Sequence, residues 1–229
     1  MTALLVLRPQ PGAAATIARA AALGLEAIAA PLFTLAPLAW APPDPAAHDA
    51  LMLTSANAVR HGGPAIAAYR ALPVYAVGAA TGAAATTAGF GDVRIGDGDA
   101  AALLARMAAE GVRRPLHLAG REHRDIAHPA LTITRSIVYA ADPVGALPVA
   151  AREALDRGAV ALLHSPRAAA LFARLLGDAG LSRAHVAAAA ISAATGRAAG
   201  EGWRALLVAE RPDDDALLAI AASLCDKSA

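Results

Sequence analysis

The 229-residue chain is predicted to fold as an α/β protein made of two copies of one parallel-sheet unit. Short apolar strands alternate with helical segments of about ten to fifteen residues, a pattern typical of parallel sheets covered by helices. The same motifs occur twice in the same order, and small polar residues follow the strands, where such sheets bind ligands. We therefore expect two lobes that face a cleft whose rims carry hydroxyl and glycine residues.

The repeat is clearest where a strand runs through a polar turn into a helix. Residues 51–59 and 161–169 share this order, and residues 74–82 and 188–196 form a second matching pair. Each copy continues into a glycine-containing turn, a short strand and an aspartate cluster that opens a leucine-bearing helix. Aspartate suits a helix N-terminus, because free N–H groups there favour negative charge. Several features at nearly constant spacing indicate an internal duplication.

A third pair of segments is less alike. We predict a β-α-β unit formed by residues 4–7, a helix from about 12 to 23 and residues 26–30. Its counterpart is a similar but shortened segment flanked by residues 116–120 and 133–139. Residues 31–40 and 134–143 are extended and interrupted by proline, which favours crossings between the lobes. The alternative, that they are edge strands within one lobe, stays open at this point.

Composition limits the possible functions. A net charge of +1 and 3% aromatic residues argue against nucleic-acid binding. The hydrophobic content of 57% is mostly alanine, and no stretch has the length and apolarity of a membrane span. The apolar start ends at Arg8 and Pro9, which favours a first strand over a signal peptide, and the single cysteine cannot form an internal disulfide. We expect a soluble cytoplasmic protein.

Common catalytic motifs are missing from the sequence. There is no Gly-Lys-Ser/Thr phosphate loop, no three-glycine dinucleotide turn, no zinc-binding His-Glu-x-x-His helix and no Gly-x-Ser-x-Gly elbow. The serine, threonine and glycine turns would instead present N–H groups and hydroxyls to a carboxylate or phosphate. Arg8, Arg121, Arg124 and Arg167 stand at strand ends and could add charge-assisted contacts. The competing interpretation is that the hydroxyl residues only cap helices.

In their order and spacing, these motifs resemble the uroporphyrinogen-III synthase family. No single motif is specific, but together they span nearly the whole chain. The segments that carry the resemblance are residues 7–9, 54–59, 75–78 with Thr81, 118–121 with 124–125, 138–139, 165–167, and 191–192 with Thr195. The chain departs from the family pattern in the short segment 120–134 and at His164, where an apolar residue is more usual.

The resemblance implies two flavodoxin-like parallel-sheet domains joined by a two-stranded connector. One lobe would contain residues 1–36 and 143–229, the other residues 40–139, with connectors near 31–40 and 134–143. A monomer is expected.

The resemblance also implies an activity. The chain would be a lyase of heme biosynthesis that cyclises hydroxymethylbilane, a polycarboxylate, with loss of water and inversion of ring D, and without a cofactor or metal. A non-catalytic module of the same architecture that binds a tetrapyrrole or another anion is the alternative.

By the same resemblance, Tyr139 is the candidate hydrogen-bond donor to the departing hydroxyl, although a structural tyrosine in the connector is the other interpretation. The predicted substrate contacts are Arg8, Thr54, Ser55, Asn57, Gly78, Thr81, Gly120, Arg121, Ser165, Arg167, Ser192 and Thr195.

Overall fold

A computed structural model describes residues 2–226, which form two compact α/β units. The first unit consists of Met1–Thr34 and Pro143–Ala229, and the second of Leu35–Asp142. No helix within residues 2–226 is long and apolar enough to cross a membrane. The predicted α/β class with two mostly parallel sheets is confirmed.

The strands and helices alternate along the chain. The strands are β1 Leu4–Val6, β2 Ala27–Ala29, β3 Phe33–Pro37, β4 Ala50–Leu53, β5 Val74–Ala76, β6 Val93–Ile95, β7 Pro115–Gly120, β8 Thr134–Pro143, β9 Val160–Leu163, β10 Ala187–Ala190 and β11 Ala205–Val208. The helices are α1 Gly12–Ala22, α2 Ala56–His61, α3 Ala79–Thr87, α4 Ala100–Ala109, α5 Val149–Asp156, α6 Pro166–Asp178, α7 Ala193–Ala199 and α8 Asp214–Asp226. Single 3-10 turns lie at Pro45–Ala47, Pro64–Tyr69 and Arg183–His185.

The first unit is built on a five-stranded sheet in the order β11-β10-β9-β1-β2, and every neighbouring pair is parallel. Its central strands β1, β9 and β10 are fully buried, as expected for a sheet covered by helices on both faces. On one face Leu4 and Val6 pack with Leu217 and Leu218 of α8. The carboxyl ends of the strands therefore present their turns along one edge.

The second unit contains a six-stranded sheet in the order β3-β8-β7-β4-β5-β6. Strands β4 to β8 pair in parallel, and β3 lies at the edge beside β8. Leu51, Leu116 and Leu118 face one core, while Met52 and Leu104 face the other. The division between the units falls within β3 and at the end of β8, so both predicted crossings are also strands of this sheet.

The two sheets have the same strand order once β8-β7-β4-β5-β6 is aligned with β2-β1-β9-β10-β11. This is the flavodoxin-like order, in which the first strand lies next to the second and the third. Matching glycines support the duplication: a Cβ at Gly82 would lie 2.7 Å from Ile95, and one at Gly196 would lie 2.9 Å from Val208. Each glycine lets its helix pack directly on the edge strand.

The segment between β7 and β8 differs from its counterpart in the first unit, where α1 joins β1 to β2. We expected a similar but shortened segment here, and residues 121–133 form an irregular loop with no helix. Ile126, Leu131 and Ile133 still pack against the core that contains Met52. Pro129 and the lack of a helical apolar stripe explain the difference.

Candidate functional site

A pocket of about 490 Å³ lies at the carboxyl edge of the second unit's sheet. Strands β4, β5, β6 and β7 contribute residues at or after their ends, and β7 and β8 also contribute His117 and Tyr139 from within the strands. The lining residues are Thr54, Ser55, Val77, Gly98, Asp99, Ala100, Ala101, His117, Gly120, Glu122, His123, Arg124, Asp125, Ile126 and Tyr139. The pocket therefore collects Thr54, Ser55, Gly120 and Tyr139 from the predicted site residues.

The position of Tyr139 is set by an irregularity in the pairing of β7 with β8. Ala119 pairs with Ile137, but Gly120 pairs with Tyr139, so β8 carries one additional residue at this point. Such bulges re-aim side chains and are common beside functional sites. The Tyr139 ring then lies over Gly120, where a Cβ would come within 2.6 Å of Cζ, and it stacks on the His61 ring at 6.0 Å between centroids.

A buried histidine that is not among the predicted site residues supports Thr54. His117 on β7 is 1% exposed, and its Nε2 lies 3.0 Å from the Thr54 hydroxyl oxygen. Arg135 Nε donates to His117 Nδ1 at 3.4 Å. Burial first, then the positive charges of Arg135 and His123, lower the pKa of His117 from 6.5 to about 4. The imidazole is therefore neutral near pH 7.

This buried imidazole makes stability depend on pH. The unfolded chain binds a proton on His117 below its ordinary pKa of 6.5, whereas the folded chain does so only below about 4. The stabilisation is therefore full above pH 6.5 and is lost as the pH falls towards 4. Between pH 7 and pH 5 we expect this residue to lower the free energy of unfolding by about 2 kcal/mol.

Urea unfolding of the parent protein and of His117→Gln at the two pH values measures this contribution. The variant should show a loss smaller by about 2 kcal/mol, because the amide does not titrate. The other histidines remain in both proteins and act as the internal control. Equal losses in the two proteins would contradict the assignment.

The predicted serines cap helices, as the alternative interpretation stated. Ser55 Oγ accepts from the N–H of Asn57 at the start of α2, and Ser165 Oγ accepts from the N–H of Ala168 in α6. Ser192 Oγ accepts from the N–H of Thr195 in α7. Ser55 and Ser165 keep a hydroxyl proton for a ligand, so capping and binding are compatible there. The Ser192 hydroxyl also lies 3.0 Å from that of Thr195, where either oxygen can be the donor.

The other predicted residues of the turns differ in accessibility. Thr81 in α3 is 6% exposed and Thr195 in α7 is fully buried, with its hydroxyl 3.0 Å from that of Ser192. Gly78 precedes α3 in extended backbone, and space around it is open. Asn57 is half-buried in α2 and accepts a hydrogen bond from Arg60. In this conformation both threonine side chains are therefore largely hidden from solvent.

Charged residues border the pocket on the loop after β7. Arg121 is exposed and pairs with Glu122 and Asp142, and it does not line the pocket. Arg124 is exposed in the pocket lining and has no ion pair within residues 2–226. Of the two arginines, Arg124 is therefore the one with its charge available to an anion.

The first unit holds a second group of polar residues around a buried carboxylate at the start of α8. Asp214 Oδ2 lies 2.9 Å from the Thr16 hydroxyl and 2.9 Å from Arg19 Nη1, and Oδ1 lies 3.2 Å from Arg8 Nη1. His164 Nε2 is 3.4 Å from Oδ1, without hydrogen-bond alignment. Asp214 stands at the start of α8, where the aspartate cluster was expected, but its side chain is only 6% exposed.

The neighbours of Asp214 stabilise its ionised form. The His164 imidazole, the Thr16 hydroxyl and the Arg8 guanidinium hold the pKa of Asp214 well below its usual range, although burial opposes them. One Arg8 nitrogen is thereby fixed at the end of β1, while about a third of its side chain stays exposed. Arg167 of α6 lies with its guanidinium 4.5 Å from the centre of the Phe33 ring.

Comparison with known proteins assigns the chain to a family. A family model described as HEM4, uroporphyrinogen-III synthase HemD, matches residues 14–219. The chain belongs to the uroporphyrinogen-III synthase family. Members of this family are lyases of heme biosynthesis, so the resemblance found in the sequence is confirmed. No relative was found among curated protein sequences.

Solved structures agree with this family assignment at the level of the fold. The crystal structure of uroporphyrinogen-III synthetase from Helicobacter pylori 26695 has a TM-score of 0.64 at 17% identity, covering 98% of this chain and 100% of that one. A mutant uroporphyrinogen III synthase from the extremely thermophilic bacterium Thermus thermophilus has a TM-score of 0.51 at 17% identity, covering 98% and 99%. This chain thus shares its fold with the two solved synthases over nearly its whole length.

Proposed function

We propose that the chain converts hydroxymethylbilane into uroporphyrinogen III at the carboxyl edge of the second unit's sheet. The observation that carries this proposal is the pocket that joins Tyr139 and Gly120 to the Thr54-Ser55 turn, with Arg124 in its lining. Uncharged donors and one available guanidinium suit a substrate that carries carboxylates. The three carboxylates of the lining already have partners, since Asp99 caps α4, Glu122 pairs with Arg121 and Asp125 pairs with Arg135. The family membership of the chain supplies the reaction class.

In the proposed reaction the terminal hydroxyl leaves the substrate as water and a reactive azafulvene forms. The substituted end of ring D then attacks it, a spiro intermediate forms, and the ring closes with ring D inverted. Tyr139 would donate a hydrogen bond to the departing oxygen, a role that needs no ionised side chain. The remaining contacts would hold the flexible chain so that the substituted carbon reacts before the free one.

The substrate carboxylates are assigned to N–H groups, hydroxyls and arginines at the strand ends. In the second unit we assign Thr54, Ser55, Asn57, Gly78, Thr81, Gly120 and Arg121 to this role, with Arg124 added from the pocket geometry. In the first unit we assign Arg8, Ser165, Arg167, Ser192 and Thr195. The buried threonines would act by holding the serine and glycine turns that contact the substrate.

We further infer that the protein acts as a cytoplasmic monomer without a cofactor, a nucleic-acid partner or a membrane partner. The near-neutral charge, the few aromatic residues and the single cysteine support this setting.

An isomer assay tests the proposal. Hydroxymethylbilane is generated in situ from porphobilinogen, the protein is added, and the oxidised porphyrins are separated by isomer. We expect the type III isomer to dominate. Type I product at the rate without protein would refute catalysis, and bound tetrapyrrole without turnover would favour the non-catalytic module.

Two variants in the same assay test the role of Tyr139. We expect Tyr139→Phe to lower turnover about tenfold, because it removes a donor to the departing oxygen. Ser192→Ala should cost less, because the backbone contacts of its turn remain. Small and equal losses in the two variants would remove Tyr139 from the reaction.

A further inference from the structure

Three side chains in the second unit form a chain of hydrogen bonds that ends in the pocket. It runs from Arg135 on β8 through His117 on β7 to Thr54 after β4. The pairing of the strands places His117 directly beside Arg135 on one side and Met52 on the other. Thr54 and His117 both line the pocket, whereas Arg135 does not.

The direction of this chain follows from the charge of its first member. A guanidinium can only donate, so Arg135 Nε makes His117 Nδ1 an acceptor. The proton of the neutral imidazole must then be on Nε2, which donates to the Thr54 oxygen 3.0 Å away. Within residues 2–226 the Thr54 hydroxyl makes no other hydrogen bond. Its own proton is therefore left for an acceptor in the pocket.

We propose that His117 is a positioning residue that turns the Thr54 hydroxyl into a second hydrogen-bond donor for the departing hydroxyl of the substrate. This inference rests on the proposed function of the pocket. The guanidinium fixes the imidazole tautomer, the imidazole occupies a lone pair of the hydroxyl oxygen, and the hydroxyl proton is directed at the substrate.

The step assisted by Thr54 balances without an added acid. The carbon–oxygen bond breaks and its electron pair leaves with the hydroxyl, while the pyrrole nitrogen lone pair forms a C=N bond in the ring and the displaced ring π electrons form the exocyclic C=C bond. The proton lost from that nitrogen and the departing hydroxide together make one water. Thr54 keeps its proton and stabilises the negative charge that develops on the oxygen.

A double-mutant cycle in the isomer assay tests this chain. Thr54→Val and His117→Leu should each lower kcat for type III product about tenfold and change KM less than about twofold, since the interaction forms as the hydroxyl leaves. The double variant should be no slower than Thr54→Val alone. His117→Gln, which keeps a donor near the position of Nε2, should retain most of kcat.

A merely structural histidine gives a different result. Replacing such a histidine would lower the folded fraction or kcat by the same factor with and without the Thr54 hydroxyl. The losses of the two single variants would then multiply to about a hundredfold in the double variant, and this result would overturn the proposal. The parent protein separates the two hypotheses: if it makes no type III isomer, the proposed function fails. If it does and the cycle is multiplicative, this inference alone fails.

Arg135→Met provides a second route if His117→Leu does not fold, because the Arg135 side chain is a quarter exposed. Without the guanidinium the imidazole can change tautomer, and we expect kcat to fall about threefold in the parent and not in the Thr54→Val background. Arg70→Met removes an exposed guanidinium of the same unit that does not line the pocket, and it serves as the control. An equal loss of kcat in both backgrounds would overturn the proposal.

Discussion

Gly120→Ala should lower type III product formation about a hundredfold while the protein stays folded. The added methyl carbon would lie 2.6 Å from Tyr139 Cζ and 2.9 Å from its hydroxyl oxygen, so the ring must move. A displacement of about 1 Å at a reacting group can cost a hundredfold in rate. We expect the free energy of unfolding to fall by about 1–3 kcal/mol, as for other overpacked cores.

Two further variants assign this loss to the tyrosine. Gly91→Ala, in the same unit, adds a methyl group with nothing within 4 Å and should leave turnover unchanged. In a Tyr139→Ala background there is no ring to displace, so Gly120→Ala should cause little additional loss. A hundredfold additional loss in that background would show that Gly120 acts through some other contact.

Asp214→Asn should produce the largest loss of stability among the single changes considered. The carboxylate accepts from Thr16 and pairs with Arg8 and Arg19, and its side chain is 6% exposed. Because both arginines are partly exposed and screened by solvent, we expect a loss of about 2–3 kcal/mol in the free energy of unfolding near pH 7. Urea unfolding of the parent and the variant measures this loss.

Its neighbour supplies the matched control. The Asp215 side chain is 83% exposed and reaches Arg19 only at 4.0 Å, so Asp215→Asn should change stability by less than about 0.5 kcal/mol. Losses of the same size at both positions would mean that the effect of Asp214 comes from the helix N-terminus, and not from its buried partners.

The elements of the fold were predictable because their signals are local. Apolar runs of three to six residues give most of the strands, and a serine after the strand marks the start of α2 and of α6. Because these signals occur twice, they predicted two parallel sheets with the same arrangement of strands and helices. The lack of a helix between β7 and β8 was not predicted, because a short polar segment has no periodicity from which helix and loop can be distinguished.

The site was less predictable because its contacts are distant in sequence. Tyr139 was selected through resemblance to a family, since nothing in its local sequence marks a donor. His117 is separated from Thr54 by 63 positions and Asp214 from Thr16 by 198, so neither pairing leaves a local signal. A histidine within a run of buried residues, Leu116 and Leu118 on either side, is the one feature that could have drawn attention to β7.

The discontinuous first unit constrains the order in which the protein can assemble during synthesis. A nascent chain of about 150 residues already contains β3 to β8, which make up the entire second sheet, but it holds only β1 and β2 of the first. In the finished sheet β1 pairs with β9 through Leu4 and Val160, so the N-terminal strand must wait for a partner more than a hundred residues downstream. The inserted unit can therefore finish folding first, and its completion brings the two ends of the interrupted unit together, which shortens the loop that the late pairing has to close.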